Sequence, residues 1–390
     1  MKSFLEKFSL LSLSLMMISP FSVSPAIPQM IRYYQRYGYQ EGAITLLFSL
    51  SSFAILATLL LTPVLSRWLN ERQTIISGLL LIALGGTLPV FSQAYQLVFL
   101  SRLILGLGIG LINARAISMI SERFLGTQRI KMLGYRASAE VLGSAAFTLL
   151  AGYLLVFGWS KAFMIYAFSL FILLLYLLFV SRPEPQEPGS NPVLSKSPLS
   201  KKQMVYILLL ASYAGFVIVV NTATTLRIPV VMTELQIGTA SQASLILSLM
   251  MLTGILAGMS FSLALQCFKQ HLVEAFAILL GLSMLLLWQG DNLVWITMGA
   301  LLTGYVNSIA VTAVFHRLAE RMPGNQLNQA TTLVLLGCNL GGGGAALVLQ
   351  LLVAKSHQAT TPYLIFAILS LVLGILIFFM RPALVNYLSD

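Results

Sequence analysis

Uncharged, apolar stretches long enough to cross a bilayer recur along almost the whole of this 390-residue chain, and each crossing needs about 20 such residues. Hydrocarbon gives a backbone amide no partner, so every stretch must satisfy its own hydrogen bonds, as an α-helix does. Charged residues make up 9% of the sequence and hydrophobic ones 58%, whereas a soluble domain carries roughly 25% charged residues. A water-soluble fold is excluded, and no room is left for a separate soluble domain. The expectation is an all-α, multi-pass membrane protein.

Apolar windows bounded by polar clusters predict helices over residues 8–31, 42–66, 74–92, 95–121, 132–157 and 161–181. A second set follows at 203–226, 239–266, 272–289, 293–316, 327–354 and 359–380. The N-terminus has the basic start and apolar run of a secretory signal. That run continues through Ile31, and the duplication described below requires it as the first helix, so it is read as retained. Residues 182–202 are rich in Pro, Ser and charge without an apolar period, as expected of a flexible linker. The division is therefore 1–181, a first six-helix bundle, 182–202, a cytoplasmic linker, and 203–390, a second bundle.

The formal charge of +11 would point to nucleic acid in a soluble protein. Here its distribution explains it. With the N-terminus in the cytoplasm, 15 Lys and Arg fall inside, while Arg32, Arg36, Lys161, Arg227 and Lys355 fall outside. Arg102, Arg115 and Arg136 lie within spans. The positive-inside rule then places both termini in the cytoplasm, and no nucleic-acid partner is needed. Cys267, Cys338 and the histidines His271, His316 and His357 show no metal-ligand spacing, so neither a disulfide, a metal nor any other cofactor is expected.

Sliding the chain on itself aligns Ser121–Gly126 with Ala319–Gly324, an offset of 198, and pairs Glu122 with Glu320 and Arg123 with Arg321. The same offset puts Gly106 on Gly304 and residues 142–144 on 340–342; one residue more brings Arg182 onto Arg381. Charged landmarks match as well as leucines, so two similar halves in one orientation are expected, with a site between them near the bilayer midplane.

Two motifs make the duplication specific. Residues 66–72, Ser-Arg-Trp-Leu-Asn-Glu-Arg, resemble the basic loop between the second and third helices of the major facilitator superfamily, and residues 101–124 resemble its fourth helix, with an arginine, spaced glycines and an acidic-basic end. The resemblance covers the whole chain and is closest to the drug-exporter branch. It implies twelve transmembrane helices in two parallel-repeat six-helix bundles, and a gating role for Arg67 and Arg72. Ser66 stands where the loop motif usually has Asp. Of the antiporters' fifth-helix signature only Gly143 and Gly152 are present, with Phe147-Thr148 in place of the central Gly-Pro. The motifs therefore imply neither the usual gating salt bridge nor antiport.

Charges within a bilayer are functional candidates by default. Arg115 lies seven residues before Glu122, and Glu140 lies eight residues into the next helix, depths of about 10 and 12 Å at 1.5 Å per residue. Arg136 sits one turn below Glu140. An Arg115, Arg136, Glu140 cluster is expected, either as a proton-coupling site centred on Glu140 or as a structural ion pair between helices. Arg102 lies near the outer end of the fourth helix; the resemblance associates that arginine with proton transfer, and the alternative is snorkelling to the interface. Asn113, Asn221, Asn307 and Asn339 sit at mid-depth, where each either lines a substrate cavity or bonds across helices. The glycines 106, 108 and 110 lie inside an apolar span with no preceding strand, so they read as helix packing and not as a nucleotide loop. The run Gly341–Gly344 is read as close packing or a hinge.

No nucleotide loop, ATPase domain, paired carboxylates or histidine cluster is found, and no enzyme is expected. The sequence reads as a secondary transporter, monomeric, in a bacterial inner membrane, using protons to export small hydrophobic or amphipathic compounds. An anionic organic solute is the alternative substrate, motivated by the excess of Arg over Glu in the first half. A non-transporting receptor or scaffold is a remote third reading.

Overall fold

The computed structural model describes residues 2–16, 20–65, 68–124, 126–180, 199–354 and 358–389. Arg67, Ser66 and nearly all of the expected linker lie outside these residues.

The first crossing is broken. Helix α1 (Lys2–Leu15) is followed by a 3-10 segment, Pro20–Ala26, and then by α2 (Ile27–Gln35). Pro20, Pro25 and Pro28 each lack the amide hydrogen that a continuous α-helix needs, and this is the kinking that prolines impose on membrane helices. Helices α3 (Glu41–Leu65), α4 (Glu71–Phe91), α5 (Tyr95–Arg123) and α6 (Gly126–Leu154) follow. Gly158 makes the turn after α6 with φ 109°, a value open to glycine alone without strain. A 3-10 segment, Trp159–Ala167, then leads into α7 (Phe168–Phe179). The remaining helices are α8 (Lys201–Glu234), α9 (Ala240–Phe268), α10 (Leu272–Trp288), α11 (Leu293–Arg321), α12 (Gly324–Ala354) and α13 (Thr361–Ser389).

Among the described residues, ten segments are long and apolar enough to span a membrane, or eleven with the broken first crossing. One of them, Ala240–Trp288, is 49 residues long and contains both α9 and α10. At about 20 residues per crossing it is two spans, which brings the described architecture to the twelve expected.

The described residues form two compact units, one of residues 1–184 with 225–252, the other of 185–224 with 253–390. The units follow packing and not chain order. Helix α8 does not end at 226 as the polar Arg227 led the sequence reading to expect; it continues through Pro229 to Glu234. The apolar Ile-Pro-Val-Val-Met that follows Arg227 keeps the helix going. The end of α8 and the start of α9 cluster with the first six crossings.

Within the first unit, α5 packs against both α3 and α4. The glycines of α5 permit this approach: an added Cβ at Gly106 would collide with the Ser51 carbonyl, at Gly108 would lie 2.7 Å from the Gly78 carbonyl oxygen, and at Gly110 would lie 2.6 Å from Thr58 Cβ. The packing reading of the three glycines holds. In the second unit, Gly337 and Gly341 of α12 face Ala211 and Gly215 of α8 backbone to backbone, so the glycine run begins as a packing surface. Arg123 and Arg321, matched by the duplication, are the last residues of α5 and α11, each 29 residues long. The following spans begin at once, α6 and α12 at Gly126 and Gly324.

Gly108→Val is expected to force α4 and α5 apart and to cost about 1–3 kcal/mol by overpacking. Gly344→Ala, whose new Cβ would meet nothing within 4 Å, is expected to stabilise by up to about 1 kcal/mol. Melting of the two purified variants in one detergent checks both.

Candidate functional site

Arg102 lies on α5 with 1% of its surface exposed. It does not snorkel. Its guanidinium carbon stands 4.3 Å from the centre of the Phe163 ring, 5.7 Å from Tyr166 and 5.9 Å from Phe48. The 3-10 segment Trp159–Ala167 supplies two of these rings and α3 the third. Ser51 Oγ, on α3, donates to the Arg102 carbonyl at 2.9 Å and ties the helices together beside the box. None of the three guanidinium nitrogens meets an acceptor in full hydrogen-bond geometry among the described residues, although the buried Tyr166 hydroxyl lies close enough to interact with the charge. Cation–π contact is worth about 2 kcal/mol when desolvated, whereas each buried unsatisfied donor costs about 1–3 kcal/mol. The rings offset only part of that cost, so the pocket has capacity for a hydrogen-bond acceptor.

On α6, Arg136 Nη2 meets Glu140 Oε2 at 3.1 Å, four residues apart on one helix face. The arginine is largely covered, while 39% of the Glu140 side chain is exposed. The structure thus pairs Arg136 with Glu140 as expected, and Arg115 stands half-buried on α5 in the same unit. Asn113 is half-buried on α5 in the first unit. In the second unit Asn221, Asn307 and Asn339 are also half-buried. Asn339 Nδ2 donates to the Leu335 carbonyl at 2.9 Å, a bond within its own helix, while Asn307 Oδ1 is buried without a donor among the described residues.

The ends of the helices carry a second set of charges. Arg123 closes α5 and reaches Glu6 of α1 at 2.8 Å and Glu71 of α4 at 3.3 Å. The sequence offered no acid at position 66, yet Glu71, five residues on, supplies one. Arg72 sits half-buried beside it in the first turn of α4.

An all-helical chain with this many spans and with buried intramembrane arginines is matched by the profile of the Major Facilitator Superfamily over residues 9–342. The chain belongs to that superfamily. Its fold agrees with solved members: a variant of the peptide transporter POT superposes with TM-score 0.76 at 14% identity, covering 98% of this chain and 95% of that one. A variant of the nucleoside transporter NupG gives TM-score 0.71 at 14% identity, covering 96% and 99%. No curated protein matches the sequence significantly.

The second unit holds a comparable clasp, although its arginine is not Arg321, the residue that the offset of 198 pairs with Arg123. There Arg317 of α11 lies 3.7 Å from Glu274 in the first turn of α10 and donates to the Gln270 carbonyl, as Arg123 of α5 engages Glu71 in the first turn of α4. Each half clasps the end of its fourth helix to the start of its third. Glu274 is 2% exposed and escaped the sequence reading because it begins an apolar helix.

Arg227, expected beyond the end of the seventh span, lies on α8 and is buried within the protein, 3% exposed and held by Glu41 at 2.6 Å and Glu234 at 3.2 Å. Glu41 begins α3, so the pair joins the second crossing to the seventh inside the first unit. The signal available in the sequence was the apolar run on both sides of Arg227. Glu41→Gln is expected to destabilise by about 1–3 kcal/mol, because the buried Arg227 loses its shorter ionic partner and keeps only Glu234. The Glu41→Gln, Arg227→Met double variant is expected to recover most of that loss in a melting double-mutant cycle.

Proposed function

We propose that the chain is a proton-coupled secondary transporter that exports small hydrophobic or amphipathic compounds by alternating access, from the cytoplasm of a bacterium across its inner membrane. Both termini face the cytoplasm in this reading, and residues 1–181 and 203–390 are the two bundles that alternate about residues 182–202. The transporter role follows from the superfamily; the coupling and direction are our reading.

The observation that carries it is Glu140. It is a carboxylate within a membrane span, neutralised by Arg136 at 3.1 Å and still partly open. Protonation of Glu140 breaks the ion pair and releases Arg136, so the charge of this helix face changes by one unit per proton. That is the minimum a coupling site needs. Arg115, Asn113, Asn221, Asn307 and Asn339 are the candidates for lining the substrate path.

A second reading, transport of an organic anion, is favoured by Arg102, whose buried guanidinium has no carboxylate beside it among the described residues and no hydrogen bond of full geometry. The structural neighbour POT has been solved with sulfate and with alafosfalin, so this fold accommodates anionic ligands.

Proteoliposomes with an imposed proton gradient separate the two. In the export reading, Glu140→Gln retains substrate binding but loses pH-dependent transport by roughly tenfold or more; unchanged pH dependence rejects Glu140 as the coupling group. In the anion reading, Arg102→Gln raises KM for an organic anion by roughly tenfold or more while cationic compounds are unaffected.

A further inference from the structure

Two long stretches of the first unit wind as 3-10 helix, and only one has a local cause. Pro20–Ala26 contains prolines, which remove amides that an α-helix would use. Trp159–Ala167, nine residues long, contains neither proline nor glycine, and its Lys, Ala and Met residues are good α-formers. Runs of 3-10 helix beyond three or four residues are uncommon, and within the course of a helix they mark strain or a hinge.

The other half of the chain shows the same crossing wound differently. The offset of 199 that brings Arg182 onto Arg381 carries residues 162–167 onto 361–366, and α13 is α-helical from Thr361 onward. The offset of 198 carries Arg102 onto Ala300, which is fully buried. The half with the buried arginine has the 3-10 winding, and the half with alanine in its place does not.

Geometry connects the arginine to the winding. Successive residues turn by about 120° in a 3-10 helix and about 100° in an α-helix, so residues three apart are eclipsed in the first and about 60° apart in the second. Phe163 and Tyr166 are three apart, and both rings stand over the Arg102 guanidinium, at 4.3 and 5.7 Å. Gly86 of α4 makes room for Tyr166, because an added Cβ there would collide with the Tyr166 Cβ. On the other side of the segment Lys161 and Met164, also three apart, are both exposed. An α-helical Trp159–Ala167 would swing one ring off the guanidinium and shorten the segment by about 4 Å.

We propose that Trp159–Ala167 is a two-state latch over Arg102: wound as 3-10 helix it seals the guanidinium beneath Phe163 and Tyr166, and rewound as α-helix it exposes the guanidinium to an anionic ligand. Arg102 holds the sealed form, because only there do both rings meet the cation. An anion that takes up the guanidinium removes that hold, so ligand and rings compete for one charge. The role of the anion rests on the reading of Arg102 as an anion site; the dependence of the winding on Arg102 does not.

Ala162, fully buried within the segment, reports the winding, since rewinding turns it by about 100° relative to Ala167. Maleimide labelling of Ala162→Cys is measured on the full-length protein in detergent, in a Cys267→Ser, Cys338→Ser background. Ala151→Cys of α6, at a position also fully buried, is the control. Arg102→Leu removes the cation and strands no carboxylate among the described residues. It is expected to speed labelling at 162 roughly thirtyfold, the factor set by loss of desolvated cation–π contact, and to leave position 151 as slow as before. Benzoate is expected to speed labelling at 162 in the chain that keeps Arg102 but not in Arg102→Leu, and benzamide, its uncharged analogue, to change nothing. Labelling at 162 that is equally slow with and without Arg102 overturns the latch, and so does an equal rise at 151, which is general loosening. Fast labelling in Arg102→Leu with no response to benzoate supports the latch and overturns the anion as what releases it. Should Ala162→Cys not fold, amide hydrogen exchange over residues 159–167 is compared between the unmodified chain and Arg102→Leu. Slower exchange in the variant is expected, as the better hydrogen bonds of an α-helix replace those of the 3-10 form, and unchanged exchange overturns the latch.

Discussion

A backbone amide inside a bilayer has no water to bond, and every feature of this protein answers to that fact. Helices satisfy the amides within each span, but then the helices have only surface shape and a few polar groups by which to find one another, since lipid tails are as apolar as leucine. Small residues therefore position the bundle. Gly106, Gly108 and Gly110 let α5 touch α3 and α4 at backbone distance, and Gly215, Gly337 and Gly341 do the same for α8 and α12. Where the helix itself must break, at Pro20–Ala26 and Trp159–Ala167, the backbone retains local 3-10 hydrogen bonding.

The same dry environment sets the handling of charge. An isolated arginine at the centre of a span costs about 2.5–3.5 kcal/mol on insertion scales, so each one requires compensation. This chain uses three forms of it. Arg227 is buried between two carboxylates; Arg123 and Arg317 are clasped to glutamates that begin neighbouring helices; Arg102 has no carboxylate and rests on aromatic rings and the nearby Tyr166 hydroxyl. The first two forms are nearly complete. The third leaves hydrogen-bonding capacity unused, and for that reason Arg102 and the partly open Glu140 carry the functional reading, whereas the more strongly paired charges hold the framework.

Much of this was legible beforehand. The crossings, the duplication and the packing role of the glycines in α5 followed from hydropathy and spacing, because a span's length is set by the bilayer and its period by the helix. The Arg136–Glu140 pair followed from a separation of four residues. Other residues misled. Arg227 reads in the sequence as the end of a helix because arginine ordinarily marks a membrane boundary; its burial within the protein rests on two glutamates, 186 and 7 residues away. Glu71 and Glu274 gave no signal as clasp residues, since their partners lie on other helices. The empty acidic position at Ser66 pointed away from a clasp that Glu71 supplies from the next turn of chain.

By itself the sequence determined the class of fold, the number of crossings, the repeat and which residues are too polar for their surroundings, because each of these depends on the exchange of water for hydrocarbon along a single segment. Only the tertiary structure decided what each polar residue does. Arg102 could equally have reached the interface, and Arg227 could have been solvated; the choice rests on which rings and carboxylates neighbouring helices bring within a few ångströms, and no local property of the chain contains that information.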